Sequence, residues 1–195
     1  LFSTGASTVI AISLGKGKSD EANKIFTINT FILIVISFAI TTLALLNLNV
    51  LVDFLGATPG TKDMITDYLS IIICFSVFFI ISYQFEVLVK TDGSPKLATI
   101  GVITSALTNV VLDYVFIAIF DFGVKGAAYA TGISQIVSTV FFLSYFMGSK
   151  SKLSFVKFKF DEIRAKMYKR IVSLGISDSL TELSAGIIVF VFNQT

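Results

Sequence analysis

The chain of 195 residues has no histidine, no tryptophan, a single cysteine (Cys74) and two prolines. The first absence removes every Ser-His and Cys-His nucleophile pair and the metalloprotease helix motif. One cysteine allows no disulfide framework, and together the two counts exclude a zinc site of His and Cys ligands. Cys74 lies in "IIICFSVFF" and reads as a small apolar core residue. Charge is also scarce, at 14% of residues, where soluble domains carry about 25%. The run from Phe26 to Val52 contains no Asp, Glu, Lys or Arg at all. About 20 apolar residues cross a bilayer as a helix. A soluble helix of that length would need a charged face, and this one has none.

What is present is hydrophobic: 54% of the residues, with a mean hydropathy of +0.87. Apolar segments at 1–14, 26–52, 68–89, 97–120, 126–148 and 171–195 alternate with short polar breaks. The breaks begin or end with Gly, Pro, Asp or Lys, the residues of helix ends. The ten-residue alternation of a membrane β-barrel is absent. The expected fold is therefore all-α, a polytopic transmembrane helix bundle with antiparallel neighbours. The segment 1–14 is short for a span, and the chain opens on Leu1. It reads as an internal piece of a longer protein.

The 15 Lys and Arg fall 3, 1, 2, 1 and 8 into the five successive breaks. Alternate breaks share a side, so one side holds 13 and the other 2. The positive-inside rule then makes loops 15–25, 90–96 and 150–170 cytoplasmic. In the last of these, Phe160, Ile163, Met167, Tyr168 and Ile171 recur near helical spacing between Lys166, Lys169 and Arg170. That pattern predicts an amphipathic helix lying in the interface and drawn to anionic membrane lipid. No nucleic-acid partner is expected.

The stretch "TNVVLDYVFIAIF" sets a carboxylate, Asp113, in an apolar run. Its distance from Lys96 places it in the outer half of the span. Gly101, Ser105, Asn109 and Asp113 stand four apart and share one helix face. Ala127, Thr131, Gln135 and Ser138 form a matching face on the next segment. Packing through small residues and cross-helix hydrogen bonds accounts for Gly101, Ser105 and Ser138. It does not account for Asp113. A charge at the bilayer centre costs about 2.5–3.5 kcal/mol, and intramembrane carboxylates mark ion paths and proton relays.

Other polar residues carry less. Glu86 stands four before Lys90, the spacing of a local ion pair. Asp178 and Glu182 share a face of the last segment and either line a second cavity or, for Asp178, cap the helix. "GKGKS" at 15–19 lacks the first glycine of a phosphate loop, since Ile12 is in its place. "NQT" at the end spells a glycosylation acceptor inside an apolar segment, which discounts it.

Four stretches, "GASTVIAISLGKGKSDEANK", "FLGATPGTKDMITDYL", "KTDGSPKLATIGVITSALTNVVLDYVFI" and "FGVKGAAYATGISQ", resemble the multidrug and toxic compound extrusion (MATE) family in the family's order. Within it they look most like the bacterial and archaeal multidrug-exporter branch. The resemblance implies twelve helices in two six-helix lobes, of which this chain would hold the second to the start of the seventh. Residues 1–149 would then be N-lobe helices without the first. Residues 150–170 would be the inter-lobe linker, and 171–195 the start of the second lobe.

The resemblance further implies a cell-membrane antiporter, acting as a monomer, that exports organic and often cationic compounds against H⁺ or Na⁺, with no other cofactor. Its cation site would comprise Asp113, Asn109, Thr131, the carbonyl of Ala127 and Tyr68, together with an acid of the first helix. These would be the Na⁺ ligands if sodium is the ion. Gln135, Asp178 and Glu182 remain candidates for a cavity or second-lobe site. The family's second-lobe acid would fall near Ala185 or Gly186, and neither is acidic. Competing readings are a lipid-linked oligosaccharide flippase of related fold, a membrane-embedded enzyme and a passive channel. The spans lack mid-membrane Lys or Arg for anionic head groups, and the lack of histidine speaks against an enzyme. No repeated filter motif suggests a channel.

Overall fold

The computed structural model describes residues 1–158 and 165–194, where seven α-helices and no strands are found. They are α1 (Phe2–Gly15), α2 (Ser19–Leu46), α3 (Leu48–Phe54), α4 (Lys62–Thr91), α5 (Pro95–Asp113), α6 (Gly123–Met147) and α7 (Ala165–Gln194). A π-helical turn, Tyr114–Ile119, extends α5 without a break. Four of these helices, with α5 counted through Ile119, are long and apolar enough to cross a membrane, and a fifth is reached if the bent stretch of α7 is counted as one span. The expected helix bundle is found.

Each helix begins and ends where local chemistry allows. Asp20 and Glu21 sit in the first turn of α2, where the helix dipole favours negative charge. Pro95 opens α5, a position where its missing N–H costs nothing. Between α5 and α6 the chain reverses through Asp121 and Gly123, both at φ 53. Aspartate tolerates this left-handed conformation better than most residues, and glycine takes it freely.

Three expectations need correction. The apolar run 26–52 is not one helix, because it breaks at Asn47 between α2 and α3. The Asn47 side-chain amide donates back to the Leu43 carbonyl at 2.9 Å, a local bond that competes with helix continuation. Cys74 is exposed rather than part of the core. α7 starts at Ala165, inside the segment 150–170. Phe160 and Ile163 lie outside the described residues. Downstream of them, Ile171 is fully buried, and Met167 and Tyr168 pack on the protein core. The apolar side of this stretch thus faces protein rather than lipid, while Lys169 and Arg170 are exposed.

The core is concentrated at the end of the bundle that carries the basic loops. Phe26 meets Phe146 at 4.9 Å and Phe155 at 4.6 Å between ring centroids, and Phe85 meets Phe146 at 5.4 Å. Leu153 is buried among them. Towards the other end, large apolar residues such as Phe38, Leu43, Leu107 and Val110 point outward, as lipid-facing residues do. Small residues bring helices close. A Cβ on Gly132 of α6 would run into the ring of Phe75 on α4, and one on Gly101 of α5 into Phe142 on α6. Gly5 and Gly175 do the same for α1 and α7, each lying against a backbone carbonyl of the other helix.

Candidate functional site

The polar faces of α5 and α6 meet. One rung is the Ser105 hydroxyl, which donates to the Ser134 carbonyl at 3.0 Å. A turn further along α5, the Asn109 amide donates to the Thr131 hydroxyl at 3.3 Å. Asp113 stands one turn beyond Asn109 and is half-buried. Its Oδ1 is buried and has no hydrogen-bond partner among the described residues. A buried polar atom without a partner costs about 1–3 kcal/mol, more when charged.

The backbone changes character at this residue. Immediately after Asp113 the hydrogen bonds widen, as in Phe120 N–H to Val115 O at 3.0 Å. Such π turns inside helices are frequent at functional sites. Gly126, at the start of α6, packs against Phe116 of this turn. Among the described residues, no three His, Cys, Asp or Glu side chains come together. Asp113 therefore lacks the acidic company of a divalent metal site. One carboxylate with amide and hydroxyl neighbours suits a proton or a monovalent cation.

The remaining candidates spread out. Tyr68 is half-buried on α4, beside the Asp67–Lys125 ion pair of 3.0 Å that joins the ends of α4 and α6. Ala127 is half-buried near the start of α6. Gln135 is half-buried on α6, and its carbonyl accepts from Thr139. Ser138 turns to α4, where Ser82 donates to it at 2.7 Å. Glu86 and Lys90 form the expected pair at 2.6 Å. Glu182 is exposed, away from Asp113, and lines a cavity of about 830 Å3 with Leu1, Thr4, Phe54, Tyr83 and Ser179. The side chain of Asp178 lies outside the described residues.

Sequence reasoning missed a buried carboxylate. Asp92, at the C-terminal end of α4, is only 4% exposed. It accepts from the Tyr145 hydroxyl (2.6 Å), the Ser151 hydroxyl (2.9 Å) and the Lys152 backbone N–H (3.0 Å). Nearby, the Asn23 side chain accepts from Ser154 N–H and the Thr27 hydroxyl from Val156 N–H. The first part of the linker is thereby stitched across the ends of α2, α4 and α6. The Asp-Gly-Ser-Pro run around Asp92 signals a turn, but nothing in it announces partners some sixty positions away.

Comparison with known proteins decides what this bundle is. The profile of the MatE family matches residues 1–115. The chain belongs to the MatE family. It is 28% identical over 193 residues to the multidrug export protein MepA of Staphylococcus aureus (strain bovine RF122 / ET3-1). That match covers 99% of this chain and 43% of the relative. MepA of Staphylococcus saprophyticus is 24% identical over the same shares. Among solved structures, an outward-facing MATE family transporter of the MOP superfamily superposes with a TM-score of 0.89 at 23% identity, covering 99% of this chain and 43% of that one. An inward-facing one gives 0.87 at 22% identity, covering 97% and 43%. The chain thus spans less than half the length of the MatE relatives it matches. It is a multi-pass membrane protein of a family whose named relatives here are multidrug exporters.

Proposed function

We propose that the protein to which this chain belongs is a cation-coupled antiporter of the cell membrane. It exports organic, often cationic compounds by alternating access, and Asp113, Asn109 and Thr131 form the coupling site of this lobe. The observation that carries the proposal is the buried, unpartnered Oδ1 of Asp113, one turn beyond the Asn109–Thr131 bond. The export function named for the MepA relatives agrees with it.

The chemistry follows from the residues. An ionised Asp113 offers a negative charge where few groups solvate it, so a proton or Na⁺ is attracted there. The Asn109 and Thr131 side-chain oxygens and the Ala127 carbonyl are the neutral ligands for Na⁺, and Tyr68 closes the outer side. Occupation neutralises the carboxylate and removes its desolvation cost. The packing of α5 on α6 that suits the charged state then no longer suits the neutral one, which biases the lobe between two arrangements. Loops 15–25, 90–96 and the linker from 150 lie on the cytoplasmic side in this reading.

Efflux by the full-length protein carrying Asp113→Asn tests the proposal. Coupled transport falls to background while the protein still reaches the membrane. Export at the wild-type rate would refute it. Substrate flux in vesicles under imposed Na⁺ or pH gradients tells the two ions apart and separates an antiporter from a flippase, whose flux follows neither gradient.

A further inference from the structure

The core at the basic end contains polar groups without a hydrogen-bond partner among the described residues. Asn29 of α2 is fully buried, and neither its Nδ2 nor its Oδ1 has a partner. Gln84 of α4 is also fully buried. Its Nε2 donates to the Thr30 hydroxyl at 2.8 Å, but its Oε1 has no partner. The Thr30 hydroxyl spends its own proton on the Phe26 carbonyl at 2.8 Å, so it cannot donate to Gln84. From α7, the Tyr168 hydroxyl is buried and unpartnered too, and its ring packs on the same core.

Asn29 and Gln84 sit at one level of the bundle. The Thr30–Gln84 bond and the bond between Thr41 and Ser76 (2.6 Å) fix α2 and α4 in antiparallel register. Asn29 is the neighbour of Thr30, so it stands level with Gln84. One turn either way, both are walled by the same cluster: Ile25 and Leu33 on α2, Ile81 and Leu88 on α4. Bulk solvent does not reach them.

The inventory of donors and acceptors selects what fills this place. Two amide oxygens need donors, and the Asn29 Nδ2 needs an acceptor. A cation would serve the oxygens but repel the amide hydrogens. The nearest acid along α4, Glu86, is taken by Lys90. An anion would serve only the nitrogen. Water alone does both, and a buried water typically makes about 3 hydrogen bonds to such groups.

We propose that Asn29 and Gln84 form an internal water site between α2 and α4. Water there donates to the Asn29 and Gln84 oxygens and accepts from Asn29 Nδ2. The site is separate from Asp113 and independent of the coupling mechanism.

The sign of a stability change tests it. In full-length protein, Asn29→Leu removes a wall of the hydrated site and strands Gln84 Oε1, so the melting midpoint falls by several degrees. The double variant Asn29→Leu with Gln84→Met regains part of that loss, because no amide oxygen is left stranded. If the site is dry, Asn29→Leu discards an unsatisfied amide and the midpoint stays or rises, which overturns the proposal. Should the variants fail to fold, a high-resolution structure of the wild-type full-length protein in lipid nanodiscs decides. A water peak within hydrogen-bonding distance of Asn29 and Gln84 upholds the site. The two amides bonded directly to each other, or a peak-free gap, refutes it.

Discussion

The Asn109 amide and the Thr131 hydroxyl meet at 3.3 Å across the α5–α6 interface, one helical turn before the unpartnered carboxylate oxygen of Asp113. The bond is long for N–H···O, so these two groups are held near one another without being tightly committed. Side chains in that condition can turn towards an arriving cation. Asn109→Ala and Thr131→Val in the full-length protein each weaken coupling: the ion concentration for half-maximal transport rises about tenfold, the equivalent of one good hydrogen bond to a charged group. Transport measured against ion concentration reads this directly, and a change only in maximal rate would contradict it.

Gly132 has no room for a side chain. A Cβ there falls inside the Phe75 ring, and both residues lie in the middle of long packed helices. Gly132→Ala should destabilise the lobe by about 1–3 kcal/mol through overpacking. Thermal unfolding in detergent gives the size. Gly132→Ala combined with Phe75→Leu should recover most of the loss.

Ser82 and Ser138 share a fully internal hydrogen bond of 2.7 Å between α4 and α6. Hydrogen bonds between membrane helices average about 0.6 kcal/mol in double-mutant cycles. A cycle over Ser82→Ala and Ser138→Ala should return a coupling of that size. A value near zero would mean that the two helices are held by packing alone.

Asp92 gathers donors from α6 and from the linker onto the end of α4. Asp92→Ala leaves the Tyr145 hydroxyl with Ser94 as its remaining partner and frees Ser151 and Lys152 from the end of α4, at a cost of about 1–3 kcal/mol. Cleavage by a protease after the lysines at 150, 152 and 157 should then become faster than in wild type, with the helices themselves still protected.

The spans and the Asp113 site were legible because both obey local periodicity. Residues four apart on one helix declare a face whatever the rest of the chain does, so Ser105, Asn109 and Asp113 could be grouped unaided. Thr131 followed from the same rule on the next helix. What could not be read depends on distance in sequence or on neutrality. Asp92 stands in a turn that looks solvated, and its burial arises only when residues 151–153 fold back over it. Asn29 and Gln84 are neutral, so no charge marks them in their apolar segments. An amide at membrane depth is the signal that would have found them. The break at Asn47 was hidden for a like reason, since hydropathy alone cannot tell a helix from two.

The wide turn at Tyr114–Ile119 sets the limit of the polar face on α5. Counting on by four from Asp113 leads to Ile117, yet a turn that holds an extra residue swings the following side chains off that bearing. The aspartate is therefore the last member of its row by geometry as well as by composition. A π turn also takes up one residue more than an α-turn over the same rise. A relative shorter by one residue in this stretch would keep its aspartate opposite the next helix and its outer loop in place, so gaps opened just after this position in a comparison of sequences carry structural meaning.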